Sequence, residues 1–373
     1  MKVLISGGGT GGHIFPALAI AQHFMQQGLA QDEILFVGTK HGIESRVVPE
    51  AGFTLETIRS EGLVGKGFVK TLRASLTLMV SLLDAYKVIR RFKPNLVVGV
   101  GGYSSGPVVL TASLLGIATM IHEQNSVPGL TNRILGRIVD AIALSYPDSQ
   151  KFFPNHKSFL TGNPVRETIM HGNRTRGYAE FGLKEGCFTI FVFGGSQGAQ
   201  RINQAVVEAL KLLKDKCDNI QFLHQSGYKC LEEVKKGYEG RGVSFAVLPF
   251  IKNMADAYEI ADLVISRAGA ITLAEITLVG KPAILIPYPF AAGNHQEHNA
   301  MELTKNGAAV VIADRELNAE RLASWIRHFL EHTEELKVMA EKCSQLARPD
   351  AGSRIVETGL NLINRGANSN EGI

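Results

Sequence analysis

The sequence predicts an α/β protein made of two doubly wound parallel-sheet domains facing each other across a cleft. Short apolar runs alternate with helical stretches through almost all of the 373 residues, which is the pattern of parallel strands covered by helices on both faces. The chain is also too long for one ordinary core. Its two halves open alike: "KVLISGGGTGGH" and "FTIFVFGGSQGAQ" each run a buried strand into a glycine turn and a helix.

Taken in order, the first half holds five strand candidates, "KVLIS", "EILFVG", "LVVGV", "ATMIHE" and "AIALS". Pro16 announces the helix that follows the first glycine turn. The second half holds "TIFVFG", "IQFLHQ", "VSFAVLPF", "LVISR", "AILIPY" and "AAVVIA". Between them, the Gly-Asn-Pro turn of "LTGNPVRETIM" reads as a linker. The domains are therefore drawn as 1–163 and 164–345, then a last helix over 346–364 that contains "RIVETGLNLIN". The polar "RGANSNEGI" (365–373) is expected to fray.

Bulk composition narrows the class. With 45% hydrophobic and 20% charged residues, it is that of a soluble globular protein. Cys187, Cys217, Cys230 and Cys343 are scattered without metal-ligand spacing, as structural thiols in a reducing cytoplasm would be. The N-terminus enters a strand and a glycine turn at once, without the regions of a signal peptide. The uncharged stretch Leu96–Ile121 is long enough to span a bilayer, but "GGYSSGP" interrupts it, so strand, turn and buried helix are expected.

Three glycine turns, "GGGTGGH", "GGYSSGP" and "GGSQGA", each follow an apolar strand. Ligands of open α/β sheets bind at the carboxyl ends of strands, and backbone N–H groups at a helix start suit phosphates. Each glycine pair could equally just close a tight turn. Gly7, Gly9 and Gly12 fit G-x-G-x-x-G, but the second strand ends in Gly38 and Thr39 where a dinucleotide site needs an acid, and Glu44 comes several residues late. A P-loop is excluded because His13 and Ile14 stand where Lys and Ser/Thr belong.

Further on, "SRAGAITLAEI" puts Thr272 in the first turn of a helix and Glu275 a turn later. There a carboxylate either stabilises the helix or accepts hydrogen bonds from a ribose diol. In "NHQEHNAMEL", His295 and His298 lack a third metal ligand, and Gln296 is as good a candidate for a sugar hydroxyl. No Asp-x-Asp occurs in the sequence. A diphosphate leaving group would then be met by helix N-termini and Arg166, with no metal expected. "MIHEQNSVPGLTNR" places His122, Glu123, Gln124 and Asn125 either on the functional rim or as caps of the next helix.

Net charge is only +4, but Lys66, Lys70, Arg73, Lys87, Arg90, Arg91 and Lys93 face a single acid, Asp84, between residues 66 and 93. Leu72, Leu76, Met79 and Leu83 recur there at helical spacing, and Leu78, Val80 and Leu82 exceed one buried face. A core helix with solvated ends and a docking segment for an anionic leaflet both fit. No nucleic-acid module is present.

Six ordered motifs, "GGGTGGHIFPALAIA", "GVGGYSSGPVVLTA", "IHEQNSVPGLTNR", "TGNPVRETI", "FGGSQGAQRIN" and "SRAGAITLAEI", resemble those of the MurG family of bacterial peptidoglycan N-acetylglucosaminyltransferases. The resemblance runs from Lys2 to about Asn361. It implies the GT-B fold of two Rossmann-like domains and an inverting, metal-independent glycosyl transfer that uses no cofactor. GlcNAc would pass from UDP-GlcNAc to the 4-hydroxyl of MurNAc in lipid I, giving lipid II. By the same resemblance His13 is the general base, and Thr10, Gly11, Gly12, Asn125 and Arg166 contact the nucleotide sugar. Ser196 lies beside the diphosphate, and Ile251 reads uracil through its backbone. Ala270, Ile271, Thr272, Leu273, Ala274 and Glu275 form the donor loop and helix, with Glu275 on the ribose, while Gln296 contacts the donor sugar. His295 stands where the family motif has glutamine. The family's membrane patch coincides with the basic segment, of which Lys66, Lys70, Arg73, Leu76, Met79, Leu83, Lys87 and Arg90 are the docking candidates. A peripheral location on the cytoplasmic face of the plasma membrane follows, next to cell-wall and division proteins, and the last helix should pack on the first domain.

Three other readings stay open. A glycolipid synthase of the same fold would share "RAGAITLAE" but lack "GGYSSGP" and "HEQN". A UDP-GlcNAc 2-epimerase would need no membrane patch. A non-catalytic sugar-nucleotide-binding subunit would have no use for His13.

Overall fold

The computed structural model describes residues 1–60, 68–195 and 197–370, and side chains for these except 68–76 and 366–370. The chain divides into two compact units: residues 1–166 together with 348–373, and residues 167–347.

In the first unit the strands are β1 (Val3–Ser6), β2 (Ile34–Gly38), β3 (Thr54–Thr57), β4 (Leu96–Gly99), β5 (Ala118–Glu123), β6 (Ala141–Leu144) and β7 (Ser158–Leu160). They form one parallel sheet in the order β3-β2-β1-β4-β5-β6-β7. Strand order therefore reverses between β1 and β4. The central strands are buried on both faces because helices cover both. Helices α1 (Gly11–Gln26) and α2 (Glu44–Glu50) pack on one face, and α3 (Phe68–Phe92), α4 (Ser105–Leu114) and α5 (Leu130–Leu135) on the other.

The second unit holds β8 (Phe188–Phe193), β9 (Ile220–Gln225), β10 (Ser244–Leu248), β11 (Leu263–Ser266), β12 (Ala283–Leu285) and β13 (Ala309–Val311). Their order, β10-β9-β8-β11-β12-β13, reverses between β8 and β11. Around this sheet lie α6 (Arg174–Phe181), α7 (Gln200–Ala209), α8 (Leu231–Tyr238), α9 (Met254–Ile260), α10 (Ala270–Val279), α11 (His295–Lys305), α12 (Ala319–Glu331) and α13 (Thr333–Gln345).

The last helix, α14 (Ala351–Asn370), belongs to the first unit. Ile355 and Val356 enter that core beside Phe24 and Leu96. Gly352 and Gly359 permit the close approach, since a Cβ on either would meet the His23 ring at 2.4 Å or Leu96 Cδ2 at 2.7 Å.

The structure corrects the sequence reading in three places. The last helix, expected over 346–364, spans Ala351–Asn370, so the tail expected to fray from residue 365 is helical through Asn370, because a helix anchored by its buried face extends at little cost where no proline stops it. Pro16 does not open α1; it is buried inside a helix that starts at Gly11. Strands β3 and β7 were not anticipated. Both are short edge strands, so neither shows the continuous apolar run that marked the others. Leu96–Ile121 folds as β4, turn, α4 and β5, and no described helix is long and apolar enough to cross a membrane.

The turn after β4 tests how tightly the sheet's switch point is built. Gly102 has φ +85°, and a Cβ there would lie 2.4 Å from the Gly8 carbonyl oxygen. Gly102→Ala is expected to cost at least about 1–3 kcal/mol from the forced backbone conformation alone. A urea titration should show a lower midpoint at unchanged slope; an unchanged midpoint would mean that the two turns are not pressed together.

Candidate active site

Ser6 pairs with Gly99, so the turns after β1 and β4 leave the sheet side by side. Their glycines serve two purposes. Gly7 and Gly101 give room to neighbours: a Cβ on Gly7 would meet Val100 Cγ2 at 2.1 Å, and one on Gly101 would meet His13 Cδ2 at 2.9 Å. Gly9, at φ +87°, is exposed, and no atom lies within 4 Å of where its Cβ would stand. Gly12 is also exposed. The turn is thus packed on one side and bare backbone on the other.

His13 sits in the first turn of α1, half-buried. Its Nδ1 lies 3.1 Å from the Gly8 carbonyl oxygen and 3.4 Å from Thr10 Oγ1. A carbonyl only accepts, so Nδ1 carries the proton and the neutral ring keeps its lone pair on Nε2. That is the tautomer a general base needs. The guanidinium of Arg166 stacks 5.1 Å from the ring centre of Phe15, two residues further along the same helix.

The end of β5 supports this turn from behind. Gln124 donates to the Val100 carbonyl at 2.8 Å and to His122 Nδ1 at 3.2 Å. His122 Nε2 faces the Gly162 carbonyl at 3.2 Å. Burial lowers the His122 pKa to about 4, against the hydrogen bond to the Gly162 carbonyl, so the ring is neutral. Glu123 is buried as well. Its carboxylate accepts from the Asn125 backbone N–H at 2.9 Å and side-chain amide at 3.2 Å, from Gly129 N–H at 3.2 Å and from Asn132 at 2.9 Å. Burial pushes its pKa up, against those donors. Gly129 is the residue before α5, so Glu123 ties the start of that helix to Asn125, as the capping reading of this motif expects.

The second unit presses together the turns after β8 and β9. Gly198 and Gly227 have positive φ, and Cβ atoms there would strike the Ser226 and Gln197 carbonyls at 2.1 and 2.3 Å. Ser196 lies outside the described residues. Gln225 bridges the turn, donating to the Gly195 carbonyl at 2.9 Å and accepting from Ile251 N–H at 2.8 Å. Any reading of a base by the Ile251 N–H therefore competes with Gln225.

After β11, Gly269 leads into α10. Ala270, Leu273 and Glu275 are buried while Ile271, Thr272 and Ala274 are half-buried. Glu275 is only 5% exposed and accepts from the Tyr258 hydroxyl at 3.0 Å. Gln296 accepts from Tyr288 N–H at 2.9 Å. Sequence reasoning missed Arg267, whose guanidinium pairs with Asp314 at 2.6 Å, stacks on Tyr288 at 5.5 Å and donates to the Ile286 and Pro287 carbonyls. It ties the Tyr288 loop, and with it Gln296, to the end of β11. The only sequence signal was its place at a strand end in "SRAGA". His295 Nδ1 faces the Ala292 carbonyl at 2.8 Å, and burial lowers its pKa.

Of the docking candidates, Lys66 lies outside the described residues, as do the side chains of Lys70, Arg73 and Leu76. Met79 and Leu83 are 62% and 60% exposed, and Lys87 and Arg90 are exposed on the next turns of α3.

Two family models match the chain: the glycosyltransferase family 28 N-terminal domain over residues 3–144 and the C-terminal domain over residues 189–355. Among curated relatives, a Myxococcus xanthus protein is 45% identical over 363 residues, 97% of this chain and 93% of its own. A Syntrophus aciditrophicus protein is 46% identical over 363 residues, 97% of this chain and 99% of its own. Both are named UDP-N-acetylglucosamine--N-acetylmuramyl-(pentapeptide) pyrophosphoryl-undecaprenol N-acetylglucosamine transferase. The crystal structure of Acinetobacter baumannii MurG superposes with a TM-score of 0.77 at 31% identity, covering 97% of this chain and 100% of that one. A UDP-GlcNAc 2-epimerase from Neisseria meningitidis shares the fold at TM-score 0.69 and 15% identity, covering 97% of this chain and 100% of its own.

Each unit buries one neutral histidine behind its site, and stability should record both. His224, between Tyr238 and Asn203, has its pKa lowered by burial to about 3; its counterpart in the first unit is His122, at about 4. In the unfolded chain each titrates near about 6.5. Between those values the unfolded state binds a proton that the fold refuses. Stability is therefore expected to fall as pH drops below about 6.5, by ~1.4 kcal/mol per unit for each histidine in its own unit. Urea midpoints at pH 7, 6 and 5 measure this, and His224→Gln should flatten the slope of the second unit; an identical slope would mean that His224 is charged in the fold.

Proposed function

The chain belongs to glycosyltransferase family 28, and from that premise we propose that it makes lipid II. In this reading it moves GlcNAc from UDP-GlcNAc to the 4-hydroxyl of MurNAc in undecaprenyl-diphosphate-MurNAc-pentapeptide. The observation that carries it is His13, held at the sheet's switch point with its lone pair on Nε2. Near-full-length similarity to transferases of that name supports the choice of donor and acceptor.

In the reaction, His13 Nε2 takes the proton of the acceptor hydroxyl as its oxygen attacks C1 of GlcNAc. The bond from C1 to the diphosphate breaks from the opposite face, which inverts the anomeric carbon and releases UDP. Thr10, Gly11 and Gly12 bring bare backbone to the sugars, and Asn125, oriented by Glu123, and Arg166, braced on Phe15, complete the first unit's contribution. The second unit supplies donor contacts: Ser196 beside the diphosphate, Ile251 on uracil, Ala270 to Glu275 along the nucleoside, with Glu275 on the ribose, and Gln296 on the sugar. Negative charge growing on UDP is met by the N-terminus of α10 and by Arg166.

The acceptor's lipid tail requires a membrane, and α3 offers a surface for one. Met79, Leu83 and Tyr86 line one exposed stripe, with Lys87 and Arg90 beyond it. Helix α4, which packs on α3, adds exposed Leu114; α5, which packs on α4, adds Leu130 and Ile134. Apolar groups flanked by cations suit the anionic cytoplasmic leaflet, where the protein would sit peripherally among wall-synthesis and division proteins.

Transfer of labelled GlcNAc to a short-chain lipid I analogue in the presence of EDTA should give a β-1,4 disaccharide product. His13→Ala should slow turnover by about 10²–10⁴ with the fold intact; wild-type turnover in that variant would remove His13 from the mechanism. Met79→Glu combined with Leu83→Glu should abolish cosedimentation with phosphatidylglycerol vesicles while leaving turnover of the short-chain acceptor unchanged. Undiminished vesicle binding would place the docking surface elsewhere.

A further inference from the structure

Glu44 begins α2 and is fully buried, although it belongs to none of the motifs above. One carboxylate oxygen, Oε2, accepts from Gly9 N–H at 2.8 Å. The other, Oε1, accepts from Thr39 N–H at 2.9 Å and from the Thr39 hydroxyl at 2.7 Å. Three glycines make room for it. A Cβ on Gly8, Gly38 or Gly42 would lie 2.3, 2.6 or 2.0 Å from its carboxyl or Cγ atoms. Residues from the first turn, the end of β2 and the approach to α2 thus form a cradle shaped for one carboxylate. Burial raises its pKa, but the donors from Gly9 and Thr39 outweigh that and leave it lowered, so the group is an anion at neutral pH.

The hydrogen bond to Gly9 gains its meaning from the geometry of the peptide. Gly9 N–H and the Gly8 carbonyl belong to the same planar unit. Its N–H donates to Glu44, and its carbonyl accepts from His13 Nδ1–H at 3.1 Å. We infer that Glu44 is a positioning residue for the reaction, the distal anion of a relay that runs through a single peptide to His13. The anion pulls on the N–H, polarises the carbonyl and strengthens its acceptance from Nδ1. The ring is thereby kept in one tautomer, and the imidazolium formed when Nε2 takes a proton is stabilised. No proton moves along the relay. A buried acid that merely staples two loops would also hold Gly9, but it would not set the histidine's basicity.

The catalytic half of this inference rests on His13 serving as base in the proposed transfer; the tautomer does not. Nitrogen-15 NMR of the wild-type chain labelled at histidine should show His13 protonated on Nδ1. In Glu44→Gln the ring should become a mixture of tautomers. Its turnover of the short-chain lipid I analogue should fall ten- to hundredfold, with KM for UDP-GlcNAc within twofold. The low-pH limb of kcat/KM should move to lower pH, because losing the anion makes His13 less basic. Glu44→Asp keeps the charge one methylene farther from Gly9 and should fall between the two, which serves should the glutamine variant fail to fold. Protonation of wild-type His13 on Nε2 overturns the relay, as does a folded Glu44→Gln with unchanged tautomer and pH limb. A wild type with the Nδ1–H tautomer but no transfer activity would instead count against the functional reading and leave the relay standing.

Discussion

Everything at the first site depends on the close approach of two glycine turns. Gly102 lies against the carbonyl of Gly8, and Gly7 lies against Val100. Glycine loses more conformational freedom on folding than any other residue, so such a contact needs compensation. It comes from hydrogen bonds that converge on the turns: Gly7 N–H to the Val37 carbonyl, Val100 N–H to the Ser6 carbonyl, the Gln124 amide to the Val100 carbonyl and Gly9 N–H to the Glu44 carboxylate. The result is a turn braced from the sheet side whose exposed residues are Gly9, Thr10 and Gly12.

The second unit solves the same problem with different chemistry. Where the first turn is held by a carboxylate, the turn after β8 is held by the amide of Gln225, which joins Gly195 to Ile251. In the first unit the anion accepts from Gly9 and Thr39 and lies one peptide away from the acceptor of His13 Nδ1. Both units also bury a neutral histidine in a closed hydrogen-bond network behind the turn, His122 with Gln124 and His224 with Asn203 and Tyr238. Neutrality follows from burial, since no carboxylate pairs with either ring in these networks.

Helix α3 shows one element meeting two demands. Ala85, Val88 and Ile89 enter the core of the first sheet, while Met79, Leu83 and Tyr86 remain in contact with solvent. Within the apolar run, Leu78, Met79 and Leu83 are exposed and Val80 and Leu82 half-buried, so the core contacts of α3 come from residues farther along the helix. Periodicity cannot separate these two sets, because both are apolar.

The sequence by itself determined the fold class, eleven of the described strands, the glycine turns and the position of His13 after the first of them. These are local properties: a strand buried on both faces must be an apolar run, and a turn with positive φ favours glycine. It could not reveal β3 and β7, whose edge positions need no such run, nor that α14 continues to Asn370. Only the tertiary structure decided which tautomer His13 adopts, because the deciding acceptor is a carbonyl whose direction depends on the turn. It alone assigned Arg267 to the Tyr288 loop and Glu44 to Gly9, partners separated by 21 and 35 residues. Spacing in the chain says nothing about such pairs; they meet because parallel strands end at the same edge of a sheet, where the turns that follow them must share the space.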